Sequence, residues 1–409
     1  MSIKSGYKQT KIGIVPEDWN IYFFEELGST YNGLSGKTKE DFGEGLPYIT
    51  YMNIFSNSKI DINNYELVKI ENNESQNVVK YGDIFFTVSS ETLEEVGLSS
   101  VLLDNVEQNM YLNSFCFGFR LNNFKTLLPE YARFLFREFN TRKRIKFFAN
   151  GTTRINISKV KLMKLKLAIP PIEEQKKISD ILSTVDKKIA FVEENINATE
   201  ELKKGLMQKL LKEGFGHAEF KDSELGRIPE SWGISNIGNI FNIFVGRDLK
   251  EDRFSKEKTD THIFPVFSNT VDNNGFYGYY DYEEFNGSSL TVVGRGIGVG
   301  TAFTKNGSYG AIGRLLVLFP QKGIEPHFYT EYINFKIKIF SESSGIPQLT
   351  GTQIKNYKCP IPPLEEQKQI AEILSTVDNK LENLKEKKQS FEELKKGLMQ
   401  KLLTGEVRV

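Results

Sequence analysis

The sequence predicts an α+β protein made of two strand-rich bodies and two long helices, built as an internal repeat, and three observations carry that prediction. A segment running from Ala168 to Leu211 recurs almost residue for residue from Pro360 to Leu403, without a gap, at an offset of 192 residues (Ile169 onto Ile361). A shorter opening motif, Tyr7–Trp19, recurs as Phe220–Trp232 at an offset of 213 residues (Tyr7 onto Phe220). Between the copies lie two stretches rich in β-branched and aromatic residues and punctuated by Gly and Asn, the pattern of short strands and turns. Each half of the chain is thus an opening motif, a variable body and a long helix.

A chain of 409 residues, 39% apolar and 12% aromatic, is long enough to bury several cores. It has no run of ~18 apolar residues that could span a bilayer, and Met1–Thr10 lacks the apolar core of a signal peptide. These features predict a cytoplasmic protein with no membrane partner. Cys116 and Cys359 are too few for a disulfide framework and sit in apolar contexts that suit buried thiols. His217, His262 and His327 show no paired-ligand spacing, so no metal site is expected. The 53 basic and 53 acidic residues cancel. Residues 172–212 and 364–404 each hold 8 of either sign, so any affinity for a polyanion must come from local patches in the bodies.

In order along the chain, Pro16 and Trp19 read as a turn whose Trp anchors an aromatic core, and Pro229 and Trp232 repeat it; a packing role is the better reading of both. In the first body, Leu46–Phe55, Val78–Ser90 and Met110–Leu121 read as strands. A helix is predicted over roughly Pro129–Phe148. It has Ala132, Leu135, Phe136 and Phe139 on one face and Arg133, Arg137 and Arg144 on another, continued by Arg142, Lys143 and Lys146. That basic stripe suits phosphate contact; a solvated helix face is the equal alternative.

In the second body, His262–Thr270, Gly275–Tyr282, Ser288–Thr304 and Ala311–Phe319 read as strands, followed by a helix at about Pro326–Phe340 and the segment Ser344–Thr350. The glycines of Gly294–Gly300 do not have nucleotide-loop spacing and no helix-like sequence follows them. They predict a tight inter-strand turn that lets Arg295 approach a ligand.

Pro170–Pro171 and Pro362–Pro363 stop a strand and suit a helix start. Each helix then runs about 40 residues, on the order of 60 Å at the α-helical rise. Ile178, Leu182, Val185, Ile189, Val192 and Ile196 form a heptad seam. Ile370, Leu374, Val377, Leu381 and Leu384 repeat it, broken at Lys388 and followed by Phe391. So narrow a seam predicts a helical partner, and the other copy supplies one, parallel or antiparallel. Gly205 and Gly397 recur inside ELKKGLMQKLL, where Gly costs ~1 kcal/mol relative to Ala; close approach of backbones would explain them.

The duplicated Lys8–Trp19 and Lys221–Trp232 motifs, and the duplicated Ile169–Asp186 and Ile361–Asp378 motifs with their helices, resemble the specificity (S) subunit of type I restriction-modification enzymes across essentially the whole chain. Gly151–Ser158 also resembles the end of that family's target-recognition domain, whereas Ser344–Thr350 departs from it. The resemblance implies an α+β fold with two strand-rich target-recognition domains separated by two long helices forming an antiparallel coiled coil, with an internal pseudo-two-fold repeat. The boundaries would be 1–168, first target-recognition domain; 169–214, central helix; 215–360, second target-recognition domain; and 361–409, distal helix.

It further implies that each domain reads half of a bipartite, asymmetric site in double-stranded DNA, and that the helices set the spacer. The helices would also dock two methyltransferase (M) subunits, with restriction (R) subunits completing the complex. Catalysis would lie in those partners, with S-adenosylmethionine in the methyltransferase and no cofactor in this chain. Consistently, the sequence has no methyltransferase Asn-Pro-Pro-Tyr motif, no Walker A motif and no acid/base or nucleophile constellation. A related system with differently organised methyltransferase and nuclease, or a scaffold whose bodies bind protein or glycan, are the alternatives.

Candidate DNA contacts in the first body are Lys37, Asn53, Ser89, Ser90, Arg144 and Arg154, with Arg133 and Arg137 from the basic stripe. In the second they are Arg247, Asn269, Arg295 and Arg314. Arginine in a Gly-rich loop can grip guanine bidentately; surface decoration or internal ion pairing competes for each residue.

Overall fold

The structure, a computed structural model, describes residues 5–336 and 348–409. The chain divides into two compact units. Unit 1 comprises Met1–Val192 and Lys387–Val409, and unit 2 comprises Glu193–Glu386.

In unit 1, Tyr7–Thr10 and Gly13–Pro16 form an antiparallel hairpin. The chain then turns into Trp19, which is fully buried and donates Nε1–H to Glu174 Oε2 at 3.0 Å. The packing role read from the sequence holds, and Glu174 is its polar partner. Asn20–Phe23 enters the body and Lys166–Ile169 leaves it as an antiparallel pair. The main sheet is antiparallel, with Gly28–Asn32, Cys116–Leu121, Ile84–Thr87 and Ser99–Val101 in that spatial order. Beside it, Tyr111–Leu112 runs parallel to Phe42–Ile49, which pairs antiparallel with Tyr65–Val68. Phe24, Phe86, Phe119 and Phe136 centre the core, with Phe24 stacked on Phe119 at 3.8 Å between ring centroids.

Two expected elements differ. The run Leu46–Phe55 is not one strand: the strand ends at Ile49 and Thr50 caps a short helix, Tyr51–Ser56, by accepting from the Asn53 N–H. The single helix expected over Pro129–Phe148 is two, Pro129–Leu135 and Phe139–Lys146. Glu138 starts the second, its carboxylate accepting from the N–H groups of Asn140 and Thr141 at 2.8 Å each. The break turns Phe139 out to solvent, away from buried Ala132, Leu135 and Phe136.

Unit 2 repeats this plan with unrelated side chains. Its hairpin is Phe220–Ser223 with Gly226–Pro229. Trp232 is fully buried and donates to Glu366 Oε2 at 2.9 Å. Gly233–Asn236 pairs with Lys358–Ile361. The main sheet, Phe241–Val245, Leu316–Pro320, Ser289–Val292 and Ala302–Lys305, has the strand order of unit 1. A parallel pair again stands beside it, Phe264–Phe267 with Ser308–Ala311, and Phe276–Tyr280 pairs antiparallel with Phe264–Phe267. The Gly294–Gly300 run joins two antiparallel strands, as its composition predicts. A helix spans Pro326–Lys336. Its expected continuation to Phe340, and most of Ser344–Thr350, lie outside the described residues.

The long helices are Ile172–Glu213 and Leu364–Leu402, starting directly after the paired prolines. Within each unit their segments run antiparallel. In unit 1, Glu174 meets Arg408 and Asp186 meets Lys395; in unit 2, Glu200 meets Lys385 and Lys203 meets Asp378. Lys395–Asp186, at 2.6 Å, and Lys203–Asp378, at 2.7 Å, join the same two repeat positions with the copies exchanged.

The predicted seam is buried at Ile178, Leu182, Val185, Val192 and Ile196, and at Ile370, Leu374, Val377 and Leu381. Gln175 and Gln367 are also buried, each donating to the prolyl carbonyl five residues back, at 2.9 and 2.8 Å, and accepting a backbone N–H from the body. The expectation for Gly205 and Gly397 fails: a Cβ at either would meet nothing within 4 Å, so no backbone approaches them.

Among the described residues no helix is long and apolar enough to cross a membrane, and no group of three His, Cys, Asp or Glu could hold a metal. Both cysteines are buried thiols. Burial pushes the Cys359 thiol up to about 12 and raises that of Cys116 as well.

Candidate nucleic-acid interface

At one edge of unit 2 the ends of the main-sheet strands open into a cleft of about 690 Å³, and three of the sequence-predicted residues, Arg247, Arg295 and Arg314, line it. Each is placed by backbone pairing. Arg247 follows Phe241–Val245 and bridges to Ile312 in parallel; Arg295 follows Ser289–Val292 and bridges antiparallel to Gln348. Arg314 precedes Leu316–Pro320 with φ 67°, a left-handed conformation that disfavours any residue with a Cβ. Its N–H donates to the Gly246 carbonyl at 3.1 Å.

Asn269, the fourth candidate, does not line the cleft but shapes it: its Oδ1 accepts from the Gly294 N–H at 2.7 Å, while the Gly294 carbonyl accepts from Leu349 at 2.7 Å. All three guanidinium-bearing residues are exposed, and Asp248 is the one carboxylate among the lining residues. The arrangement is a concave cationic surface suited to phosphate oxygens or guanine edges.

The shared strand order locates the same place in unit 1. Gly33 takes the position of Gly246: Gly33 N–H donates to Cys116 O, and Gly246 N–H to Leu315 O. A Cβ at either glycine would collide with backbone, 2.1 Å from the Asn113 oxygen and 2.9 Å from Ala311, so both positions require the close approach only Gly permits. By the same registers Leu34 stands where Arg247 does, Phe115 where Arg314 does, and Ser89 where Arg295 does, with Ser89 pairing Asn156 as Arg295 pairs Gln348. Ser158 and Thr350 then cap equivalent short helices, Lys159–Leu162 and Gly351–Lys355. The end of the Gly151–Ser158 segment, Asn156–Ser158, therefore has its counterpart in Gln348–Thr350, a match the two sequences hide. Sequence reasoning missed Phe115, 58% exposed, and Asn156 and Gln348. Only the strand pairing reveals their positions.

The other unit 1 candidates are held in different ways. Arg154 is exposed on the turn between Ala149–Asn150 and Ile155–Ile157. Ser89 is half-buried and its Oγ makes no hydrogen bond, whereas Ser90 Oγ donates to Glu95 at 2.8 Å. Lys37 pairs with Glu74 at 2.5 Å with its side chain almost wholly buried. Asn53 is buried and donates to the carbonyls of Asp61 and Asn64, closing the loop after its helix.

The arginines of the broken helix turn inward. Arg133 pairs with Asp186. Arg137 donates to the carbonyls of Ser99, Ile54, Phe55 and Asn57 at 2.6 to 3.2 Å. Arg144 donates to Lys166 O at 2.6 Å. Arg142 secures the Glu94–Gly97 turn through the carbonyls of Glu94, Val96 and Gly97. Burial lowers the affinity of all four guanidiniums for their protons, to about 10 for Arg137, where neighbouring Arg142 and Arg133 add to it, and to about 10 for Arg142.

Comparison with known proteins identifies the family. The family model for the type I restriction modification DNA specificity domain matches twice, over residues 16–201 and 229–393. A Methanocaldococcus jannaschii chain, named for the specificity subunit of type I restriction enzyme MjaX, is 30% identical over 99% of this chain and 97% of its own. The type I restriction enzyme MjaVIII specificity subunit of the same organism is 27% identical over 97% and 94%. The crystal structure of a type I restriction-modification S subunit from M. genitalium superposes with a TM-score of 0.63 at 17% identity, covering 98% of both chains, so the fold is shared. With both halves matched by the family model and a full-length relative at this identity, the chain belongs to the type I restriction-modification specificity subunit family.

Proposed function

We propose that the chain is the sequence-reading subunit of a type I restriction-modification complex: it binds a bipartite, asymmetric site in double-stranded DNA and directs methyltransferase and restriction subunits to it. The observation that carries the bipartite, asymmetric reading is the pair of matched edges. The two bodies share a strand order, yet Arg247, Arg295 and Arg314 in one stand where Leu34, Ser89 and Phe115 stand in the other. One scaffold with different side chains at the same positions reads different sequences. The target-recognition domains are residues 1–168 and 215–360, and the helices over 169–214 and 361–409 set the spacer.

The chain itself is not the catalyst. S-adenosylmethionine belongs to the methyltransferase subunits, which take the target adenine out of the stack. Two such subunits have equivalent docking surfaces. Leu202 and Leu394, 50% and 49% exposed, stand one turn before Gly205 and Gly397 on the solvent side of the repeated helices.

The test is binding of Arg295→Ala, assembled with its methyltransferase partner, to DNA altered at each half-site separately. A base-reading role predicts weaker binding by about 1–3 kcal/mol with discrimination lost in one half-site only. Unchanged affinity for both halves in Arg247→Ala, Arg295→Ala and Arg314→Ala alike would remove the cleft from DNA recognition.

A further inference from the structure

The loop that follows Arg295 is built to hold one aliphatic side chain in water. Ile297 is 91% exposed, more than any other large hydrophobic residue described. An isolated exposed Ile on a floppy turn would mean little. This turn is instead closed by its own backbone. Val299 N–H donates to Gly296 O at 3.2 Å, Thr301 N–H to Gly298 O at 3.0 Å, and Gly300 N–H to Val293 O at 2.7 Å. Gly296, Gly298 and Gly300 all have positive φ, 86°, 81° and 87°, which only Gly adopts without strain. A Cβ on Gly298 would stand 2.2 Å from Val271 Cγ1, so the base of the loop is seated while its tip is clear. The loop thus presents Ile297 preorganised, directly beside the arginine-lined cleft.

The local charge, three arginines against Asp248 in the cleft, is what the tip's partner must complement. Residues 294–301 contain Arg295 and no acidic group, and Arg247 and Arg314 stand at the adjoining cleft, so a polyanion is the surface that would bring Ile297 into contact. The equivalent loop of unit 1 is of another kind. It carries Glu91, Glu94 and Glu95, ties Glu94 to Lys146 at 2.5 Å, and exposes Leu93 by only 47%. The device therefore belongs to unit 2 alone.

We propose that Ile297 is an apolar wedge that enters between neighbouring base pairs of the half-site bound by unit 2, opening the stack while Arg295 and its companions hold the flanking phosphates or base edges. Aliphatic wedges of this size act in that way in proteins that kink DNA, where the energy spent on unstacking is returned by the additional surface engaged. The narrow glycine loop lets the side chain penetrate without a bulky neighbour on either side. This inference rests on unit 2 binding DNA, as proposed above.

The experiment uses the full chain assembled with its methyltransferase subunits, on duplexes carrying 2-aminopurine at successive positions of the half-site assigned to unit 2, excluding the target adenine that the methyltransferase flips and the bases next to it. The wild-type complex is expected to raise the fluorescence at one step, the mark of unstacking. Ile297→Ala is expected to abolish that rise and to weaken binding on the order of tenfold, as loss of a wedge and its bend would. No rise with wild type at any position, or an undiminished rise with Ile297→Ala, overturns the wedge. The Arg295→Ala arm separates this from the broader reading: if it still weakens binding while Ile297→Ala does not, unit 2 reads DNA without a wedge. If the wild-type complex does not bind the duplex at all, the DNA reading of unit 2 itself has failed.

Discussion

Replacing Arg137 with Met should destabilise unit 1 rather than weaken a DNA contact. The side chain reaches back from the turn between two short helices and donates from Nε and Nη2 to Ser99, Ile54, Phe55 and Asn57, joining the Tyr51–Ser56 helix to the edge strand of the main sheet. Hydrogen bonds from a charged donor contribute roughly 1.5–3 kcal/mol each where the acceptor is left unsatisfied, but they are not additive. Against this stands the cost of burying the guanidinium, which is seen in its lowered proton affinity. The net loss should be about 2–3 kcal/mol, because the carbonyls lose their donor while the cost of burying the charge is removed with it. The protein has one Trp in each unit, Trp19 and Trp232, so urea unfolding followed by fluorescence in a Trp232→Phe background reports on unit 1. An unchanged unfolding midpoint combined with lost DNA affinity would refute the reasoning and return Arg137 to the phosphate backbone.

The remaining predictions concern the helices and unit 2. Gly205→Ala and Gly397→Ala should each stabilise the protein by about 1 kcal/mol, because the added methyl meets nothing and the helix loses its weakest residue; a lowered melting temperature would contradict this. Lys305 is buried with its Nζ 3.6 Å from the centre of the Phe267 ring and bonded to Asn274 O, and burial lowers its pKa to about 8. Below pH ~8 it is charged in both states and the full cost of burying it is present. Between ~8 and the unfolded value of ~10.4, the unfolded chain binds the extra proton and stability rises with pH. Lys305→Met should remove that rise in thermal melts taken from pH 7 to 10, and a rise equal to wild type would assign it to other groups. Inserting residues within 193–199, where the two helix copies are least alike, should change the length of the DNA spacer and leave both half-sites as they are. Methylation mapping that finds altered half-sites would count against the helices as the spacer.

What the sequence revealed depended on whether the signal was local. The long helices were legible because a heptad seam and two prolines lie within one stretch of chain, and the same is true of the Trp-bearing turns. The break at Glu138 was not, because the apolar spacing of Ala132, Leu135 and Phe136 continues arithmetically to Phe139 and only the capping carboxylate stops the helix. The strand ending at Ile49 was overrun for a similar reason: Thr50 suits a strand until its hydroxyl caps the next turn.

For the interface, Arg247, Arg295 and Arg314 could be nominated one by one from glycine-rich turns. Their convergence depends on pairings with Ile312 and Gln348 that no local window contains. The equivalence of Ser89 with Arg295 is further still from view, since it exists only in the strand order that the two dissimilar bodies share. Gly205 and Gly397 carry the opposite lesson: an exact repeat suggested a packing contact, and the structure leaves both sites open.

The central claim is that each body reads its own half of one DNA site. The most direct measurement is methylation mapping, by long-read sequencing, of cells expressing this chain with its methyltransferase partner, compared with a chimera whose residues 20–167 are replaced by the matching body of a relative. The account predicts that one half-site changes while the other half-site and the spacer persist. Methylation at an unaltered site, or at a site with both halves altered, would contradict it.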